Sequence, residues 1–189
     1  MKYSQLFGRT IKETPKEIEA ISHKLLVRAG FMDTALAPGI FSILPLGWLV
    51  MGKIINIVRE EMKAIGGQEL YLPSLHPKNI WEEADRWDKM DPPLFKLKDR
   101  HEREMALAST HEEVITDIVR RRISSYKDLP LALYQIQNKF RNEMRASGGL
   151  LRVREFLMKD MYSFHESKED LEKYYWQVVE AYKKIFKRC

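Results

Sequence analysis

The feature that most constrains the fold of this chain is a pair of alternating polar and apolar segments separated by a short loop. Residues 132–143 alternate with a period of two, which places Arg141 and Glu143 on one face of a strand. After the loop, the same period aligns a second set of side chains, Arg152, Arg154 and Phe156. Gly148-Gly149 in the loop tolerate the positive φ that a tight reversal often requires. We therefore predict an antiparallel hairpin with one packed face and one face that is free to bind.

The side chains on the free face of this hairpin are of types that bind nucleotides. An arginine fork holds phosphate oxygens in bidentate fashion and keeps its charge at any working pH. A carboxylate such as Glu143 accepts a hydrogen bond from an adenine amino group, and a ring such as Phe156 stacks on the base. The alternative is a surface hairpin whose arginines and glutamates pair across the strands. Spacing alone leaves both interpretations open.

Length and composition predict one folded unit. The 189 residues are 44% hydrophobic, which is enough for one sizeable core and argues against disorder. The 32 basic and 27 acidic residues give a net charge of +5, a modest bias that suits a polyanion such as tRNA or ATP without demonstrating one. Cys189 is the only cysteine, as expected in a reducing cytosol, and the five histidines lack the spacing of a metal site.

A long uncharged segment raises the question of a membrane span. No charged residue occurs from Thr34 to Gly52. Two prolines and two glycines divide this segment into a short apolar run, residues 40–44, and the start of a helix near Pro45. The N terminus lacks the apolar region of a secretion signal. We predict a cytoplasmic protein that does not enter a membrane.

Helical periodicity predicts two helices in the first third of the chain. One begins after Thr14-Pro15, with an apolar stripe made of Ile18, Ile21, Leu25 and Leu26. The other spans residues 46–65 and ends at Gly66-Gly67, with a buried side made of Leu49, Ile54, Ile57, Val58 and Met62. A strand at 69–72 follows it.

The rest of the chain is expected to alternate strands and helices. A short helix and loop at 77–93 carry Trp81 and Trp87 as packing anchors, and two strands follow at 94–98 and 104–108. Thr110 begins the next helix, with Glu113 as a capping-box partner. The last helix follows Ser167, and we assign its apolar stripe to the core: Leu171, Tyr174, Tyr175, Val178, Val179, Tyr182, Ile185 and Phe186.

The hairpin sequence resembles motif 2 of the class II aminoacyl-tRNA synthetases. The runs LPLALYQIQNKFRNE and LLRVREFLMKDMYSFH are similar to those of prolyl-tRNA synthetases of the bacterial type. Further landmarks of that family occur in the expected order, at residues 12–15, 39–47, 66–75 and 109–113. One departure lies in the loop, where the family usually has an Arg-Pro pair and this chain has Arg145-Ala146.

The resemblance implies an α+β fold, the class II catalytic core, with a mixed, mainly antiparallel sheet flanked by helices. Motif 1, the dimer interface of the family, would lie at about 46–75, the Thr-x-Glu loop at 109–113 and motif 2 at about 131–165. The core would be incomplete at its C-terminal end, because motif 3, the editing domain and the anticodon-binding domain are absent. We therefore expect a fragment that is inactive alone.

The resemblance also implies a reaction and its residues. The reaction is proline activation with ATP to prolyl-adenylate, followed by transfer to tRNA(Pro), and ATP implies Mg²⁺ without assigning its ligands. The catalytic residue would be Arg141, which would contact both the α-phosphate and the proline carboxylate. ATP would also bind Glu143, Leu151, Arg152, Val153 and Phe156. Proline would bind Thr110, Glu112 and Arg141, with His111 only orienting that loop.

Two other functions stay open at this point. The first is a non-catalytic binding or regulatory module on a class II scaffold, which truncation favours and intact site residues oppose. The second is another ATP-dependent adenylating enzyme of related fold, which the Thr-His-Glu loop at 110–112 disfavours because it resembles the proline site specifically. A homodimer through motif 1 is expected with the synthetase function.

Overall fold

A computed structural model describes residues 2–16 and 18–189 of the chain. Within these residues lie five α-helices: α1 (Ile21–Arg28), α2 (Pro45–Ala64), α3 (Lys78–Glu83), α4 (Glu112–Arg122) and α5 (Lys168–Arg188). The same residues contain eight β-strands: β1 (Met32–Ala37), β2 (Ile40–Ile43), β3 (Gln68–Glu69), β4 (Leu75–Pro77), β5 (Lys96–Lys98), β6 (Glu104–Leu107), β7 (Leu131–Phe140) and β8 (Glu155–Phe164).

The predicted hairpin is the centre of the fold. Strands β7 and β8 pair antiparallel over their whole length, from Leu131 opposite Phe164 to Phe140 opposite Glu155. The short strand β3 pairs parallel with the other edge of β7. A second, antiparallel sheet has the order β4-β6-β5. These pairings confirm the predicted α+β fold with a mixed, mainly antiparallel sheet.

Helices cover both faces of the hairpin sheet. On one face, Tyr134 of β7 packs with Met62 of α2 and with Ala181 and Ile185 of α5. On the opposite face, α4 packs against the end of the hairpin near Leu131, through a cluster that includes Ile115. The second sheet has its own core around two buried tryptophans, Trp81 and Trp87, as predicted.

The end of α2 confirms the helix stop read from the two glycines. Gly66 has a φ of 81°, which a residue with a side chain rarely adopts. The Gly67 N–H donates to the Met62 carbonyl over 2.9 Å and so caps the last turn. The helix start signal, Ser167 before α5, is also confirmed, because its hydroxyl accepts from the Asp170 N–H.

Helix α1 begins later than predicted. The Ile18 N–H donates to the Pro15 carbonyl over 3.2 Å, but the helix starts only at Ile21. Glu17, inside the predicted helix, lies outside the described residues. Ile21 and Leu25 are exposed, because this short helix packs through Leu26 and Val27 instead.

Other apolar stripes are less buried than predicted. In α2, Ile57, Val58 and Met62 contact the core, whereas Leu49 and Ile54 are exposed. In α5, Ile185 is buried, but much of the predicted stripe lies on the surface: Leu171, Tyr175, Tyr182 and Phe186. Each of these helices packs against the sheet and against the other helix along a strip that is narrower than its apolar face. The helical periodicity therefore predicted more buried residues than the structure has.

Strands β3, β5 and β6 differ from expectation only in length, whereas β1, β2 and β4 were not predicted as strands. Strand β3 has two residues instead of the four predicted, although the Leu70 N–H continues its pairing by donating to the Tyr134 carbonyl over 2.9 Å. Strands β5 and β6 surround the turn at Asp99–Arg103 as predicted.

Candidate active site

The loop that joins β7 to β8 is held by Arg154. Its Nε donates to the Glu143 carbonyl over 2.9 Å, and its guanidinium also reaches the carbonyls of Pro38 and Met144, at 2.9 and 3.3 Å. The Arg154 N–H donates to the Gly39 carbonyl over 2.8 Å. Gly39 is needed there, since a Cβ on it would lie 2.6 Å from that of Ala146. Arg154 therefore anchors the loop.

Arg141 and Phe156 are adjacent on one face of the hairpin. Phe156 lies opposite Lys139 in the register, and Arg141 lies one residue beyond the end of β7, where its N–H still donates to the Arg154 carbonyl over 2.9 Å. The alternation predicted through Glu143 therefore stops early, because the Glu143 N–H turns back to the Arg141 carbonyl. The guanidinium carbon of Arg141 lies 5.3 Å from the centre of the Phe156 ring, within the range of a cation–π contact. The structure thus brings together two of the side chains predicted for a nucleotide site.

Glu143 and Arg152 form a second pair across the loop. The Arg152 Nε lies 3.4 Å from a Glu143 carboxylate oxygen. Ser147 and Arg152 bridge the loop with two backbone hydrogen bonds, of 3.0 and 3.1 Å. On either side of Arg152 in the sequence, Leu151 is exposed and Val153 is buried. The contact between Arg152 and Glu143 also fits the alternative of a surface hairpin, so it does not by itself favour a nucleotide site.

The Thr-x-Glu loop lies at the start of α4, but Thr110 does not cap the helix as predicted. His111 occupies the N-cap position, and the Thr110 hydroxyl donates to the Glu112 carboxylate instead. Glu113 is not a capping partner either, because Arg86 binds its carboxylate over 2.6 Å. Burial raises the pKa of Glu113, and Arg86 opposes this rise. The loop therefore presents the Thr110 and Glu112 oxygens as a pair.

Backbone pairing places this loop beside the hairpin. The Phe140 N–H donates to the Ala108 carbonyl over 2.8 Å, which joins the end of β7 to the segment just before Thr110. Side chains complete the connection, because Lys139 contacts the ring of His111. Thr110 and Glu112 therefore lie on the hairpin face that carries Arg141.

Part of the predicted free face is buried. Gln135, Gln137 and Lys139 share the face of Arg141, but α4 and the preceding loops cover them. Gln137 Nε2 donates to the Leu72 carbonyl and the Ser74 hydroxyl, at 3.1 and 3.0 Å. Only the end of this face near the loop is open, so the surface that is free to bind a ligand is smaller than predicted.

The site contains residues that sequence reasoning missed. Arg86 lies 3.5 Å from Glu112 and bridges it to Glu113. Lys139, Asp160 and Tyr162 form a polar cluster beneath the Thr-x-Glu loop. The sequence feature that could have revealed this cluster is the alternation in β7, which places polar residues at successive positions on one face of the strand.

Among residues 2–16 and 18–189, no helix is both long and apolar enough to cross a membrane. The same residues include no group of three or more His, Cys, Asp or Glu side chains that could hold a metal ion.

Fold and site together define the core of a class II tRNA synthetase. Residues 95–189 match the family model "tRNA synthetase class II core domain (G, H, P, S and T)", and the chain belongs to this family. Curated relatives similar to the whole chain are named "Proline--tRNA ligase". The chain is 54% identical to that of Pelotomaculum thermopropionicum over 189 residues and 52% identical to that of Thermotoga maritima over 188 residues.

The chain spans about a third of the length of these relatives. All of it is matched, against 33% of the Pelotomaculum thermopropionicum protein and 32% of the Thermotoga maritima protein. Among solved structures, a Giardia lamblia prolyl-tRNA synthetase in complex with prolyl-adenylate matches with a TM-score of 0.77 at 24% identity, over 82% of this chain and 33% of that one. A Cryptosporidium parvum prolyl-tRNA synthetase complexed with L-proline and AMP gives 0.76 at 18% identity, over 87% and 34%. Both confirm the fold.

Proposed function

We propose that this chain forms the ATP- and proline-binding part of a proline–tRNA ligase. The observation that carries the proposal is the pairing of Arg141 with Phe156 on the face that also holds Thr110 and Glu112. A base stacked on the ring would have its phosphates within reach of the guanidinium. The names of the curated relatives support proline as the amino acid.

In this proposal, the chemistry of the first step is alignment and charge stabilisation. The proline carboxylate attacks the α-phosphorus of ATP, which gives prolyl-adenylate and releases pyrophosphate. No base is required, since a carboxylate is ionised at neutral pH. Arg141 is the catalytic residue, because it would hold both reacting groups and offset the charge that grows on the phosphoryl oxygens.

The other proposed roles follow from side-chain chemistry. Phe156 stacks on adenine, Glu143 accepts from its amino group, and Arg152 reaches the γ-phosphate, with backbone contacts at Leu151 and Val153. Arg152 would exchange its contact with Glu143 for the phosphate. This is feasible because the Arg152 side chain is mostly exposed and the pair lies at 3.4 Å.

Thr110 and Glu112 are proposed to bind the proline amine. A secondary ammonium has two N–H donors, and a hydroxyl and a carboxylate offer two acceptors, of which the carboxylate adds the opposite charge. Their existing hydrogen bond holds both oxygens at the same place before substrate arrives. Any Mg²⁺ would arrive with the phosphates of ATP, and we assign it no protein ligands.

We also propose partners and a location for the complete protein. Transfer of the prolyl group would be to tRNA(Pro), in the cytoplasm. The segment assigned to motif 1 carries exposed apolar side chains at Trp48, Leu49 and Val50 on α2, which would form a homodimer interface. Because the chain spans a third of its relatives, we assign the complete reaction to the product of the full reading frame and expect residues 1–189 alone to be inactive.

Amino-acid-dependent ATP–pyrophosphate exchange tests this function. We expect exchange with proline, and not with glycine, histidine, serine or threonine, for the product of the full reading frame. Exchange that depends on another amino acid would replace proline with that substrate. Absence of exchange with all five would favour a non-catalytic module on the same scaffold.

A further inference from the structure

Beneath the Thr-x-Glu loop lies a buried ion pair. The side chain of Lys139 is fully buried, and its Nζ lies 2.9 Å from Asp160, whose side chain is 11% exposed. Burying an ammonium costs much free energy unless it is paired and hydrogen-bonded. Burial lowers the pKa of Lys139, and the hydrogen bond to Asp160 opposes that effect. Because burying this pair costs folding free energy, we asked whether it has a role besides stability.

Lys139 has a second partner, the ring of His111. The Lys139 ammonium can only donate, so His111 Nδ1 must accept this hydrogen bond. His111 Nε2 then carries the proton and donates to the Pro73 carbonyl over 3.0 Å. Burial, and next the charge of Lys139, lower the pKa of His111 to about 4, so the ring is neutral as this arrangement requires. Both ring nitrogens are fixed.

The position of His111 in the chain gives this contact its importance. His111 lies between Thr110 and Glu112, the two residues proposed to bind the amine. Its ring is buried, whereas Thr110 is half-buried and Glu112 is exposed, so the anchored ring determines where the backbone places their two side-chain oxygens.

Two further hydrogen bonds hold the Asp160 carboxylate in place. Asp160 accepts hydrogen bonds from the Tyr162 hydroxyl over 2.6 Å and from Gln135 Nε2 over 2.9 Å. Burial, and next the hydrogen bond to Asp160, raise the pKa of Tyr162, so the phenol keeps the proton that it donates. The Asp160 carboxylate, which holds Lys139, is therefore itself held by two neutral donors.

We propose that Lys139 is a positioning residue for the amino-acid site. Held by Asp160, it fixes the neutral ring of His111 and thereby sets Thr110 and Glu112 for the ammonium of the substrate. This role rests on the proposed function of that loop. The competing account is that Lys139 and Asp160 only stabilise the core.

Two variants separate positioning from stability in the product of the full reading frame. Lys139→Met removes the anchor of His111 and leaves Asp160 as a buried, unpaired charge. Lys139→Met combined with Asp160→Asn removes both charges and keeps an acceptor for Tyr162. Neutralising a buried pair in this way commonly preserves stability. Lys159→Met is the matched control, since Lys159 neighbours Asp160 on β8 but contacts Tyr182 on the opposite face.

The readouts are the KM for proline, the KM for ATP and the thermal unfolding midpoint. We expect both Lys139 variants to raise the proline KM on the order of tenfold or more. The ATP KM should stay within about twofold, because Arg141 and Phe156 remain in place. The double variant should recover the unfolding midpoint without recovering the proline KM, and Lys159→Met should change neither constant.

Recovery of both the midpoint and the proline KM in the double variant would overturn the proposal and leave a purely structural ion pair. Equal increases in both KM values would overturn it as well. If Lys139→Met does not fold, the double variant decides the question alone. Proline-dependent exchange by the unaltered protein is measured beside them, so loss of the proposed function itself is recognised separately.

Discussion

The guanidinium carbon of Arg141 lies 5.3 Å from the centre of the Phe156 ring. This contact joins a guanidinium, which we propose to bind phosphate, to a ring that we propose to stack on a base, and both residues extend from the open end of the central hairpin. The two are separated by fourteen residues of loop and strand, which Arg154 holds in place. The arrangement leads to separate predictions for each side chain.

Replacing Phe156 with leucine should weaken ATP binding and spare proline binding. Stacking of a base on an aromatic ring is worth about 1 to 3 kcal/mol, so the ATP KM should rise roughly fivefold to 100-fold. The measurement is pyrophosphate exchange at varied ATP. Phe186→Leu, on the exposed surface of α5, is the control and should leave the KM unchanged. An unchanged ATP KM in Phe156→Leu would show that the ring does not contribute to ATP binding.

Arg141→Ala should abolish adenylate formation. Losing a preorganised charge at the reacting phosphate costs roughly 100-fold to 1,000-fold in rate. Arg121→Ala is the matched control, because Arg121 pairs with Asp117 at 2.7 Å on the exposed side of α4 and should be nearly silent. Similar losses in both variants, measured by single-turnover adenylate formation, would contradict our division into site and surface.

Arg154→Leu should loosen the loop rather than remove a substrate contact. In this variant, the hydrogen bonds from the Arg154 guanidinium to two backbone carbonyls are lost. One carbonyl belongs to Glu143 in the loop after β7, and the other belongs to Pro38 in the turn between β1 and β2. We expect amide hydrogen exchange of residues 143–153 to accelerate on the order of tenfold or more. Arg145→Leu, an exposed neighbour in the same loop, should not accelerate it. Unchanged exchange in Arg154→Leu would mean that other contacts hold the loop.

The stability of the chain should fall as the pH is lowered from about 6.5 to about 4. Burial is the main cause that lowers the pKa of both His76 and His111 to about 4, against an ordinary value of 6.5. Between these values the unfolded chain binds more protons than the folded one, so the stabilisation is complete above pH 6.5 and is lost toward pH 4. Each histidine contributes at most about 1.4 kcal/mol per pH unit.

Urea unfolding at pH 7 and pH 5 measures this dependence. His76→Gln should reduce the difference in unfolding free energy between the two pH values. His101→Gln, whose side chain is exposed in the turn between β5 and β6, should preserve it. A pH dependence that His76→Gln leaves intact would assign the effect to other groups.

Trp48→Glu should dissociate the proposed homodimer. Trp48 is 57% exposed on the first turns of α2, and a buried unpaired carboxylate at an interface is strongly unfavourable. Light scattering of the product of the full reading frame should give the mass of a monomer for this variant and of a dimer for Leu171→Glu, on α5. A dimer in both would place the interface elsewhere.

The local features of the fold could be predicted because nearby residues determine them. Alternation and Gly148-Gly149 predict the β7–β8 hairpin, and both glycines have the expected positive φ of 67°. Gly66-Gly67 end α2 and Ser167 begins α5, and in both cases the capping hydrogen bond joins residues that are close in sequence.

The unpredicted features depend on partners that are distant in sequence. Alternation shows that Lys139 and Arg141 share a face, but it cannot show that α4 covers one and leaves the other open. The same limit applies to α5, whose apolar stripe is wider than the surface that contacts α2. The Arg86–Glu112 contact joins the loop after α3 to the start of α4. Nothing in either sequence segment predicts that the two segments meet.

A crystal structure of the product of the full reading frame with a non-hydrolysable prolyl-adenylate analogue tests the central claim most directly. We predict adenine stacked on Phe156, Arg141 on the group that replaces the phosphate, and the amine nitrogen about 3 Å from the oxygens of Thr110 and Glu112. An analogue bound away from this face, or with its amine turned from Thr110 and Glu112, would contradict the account.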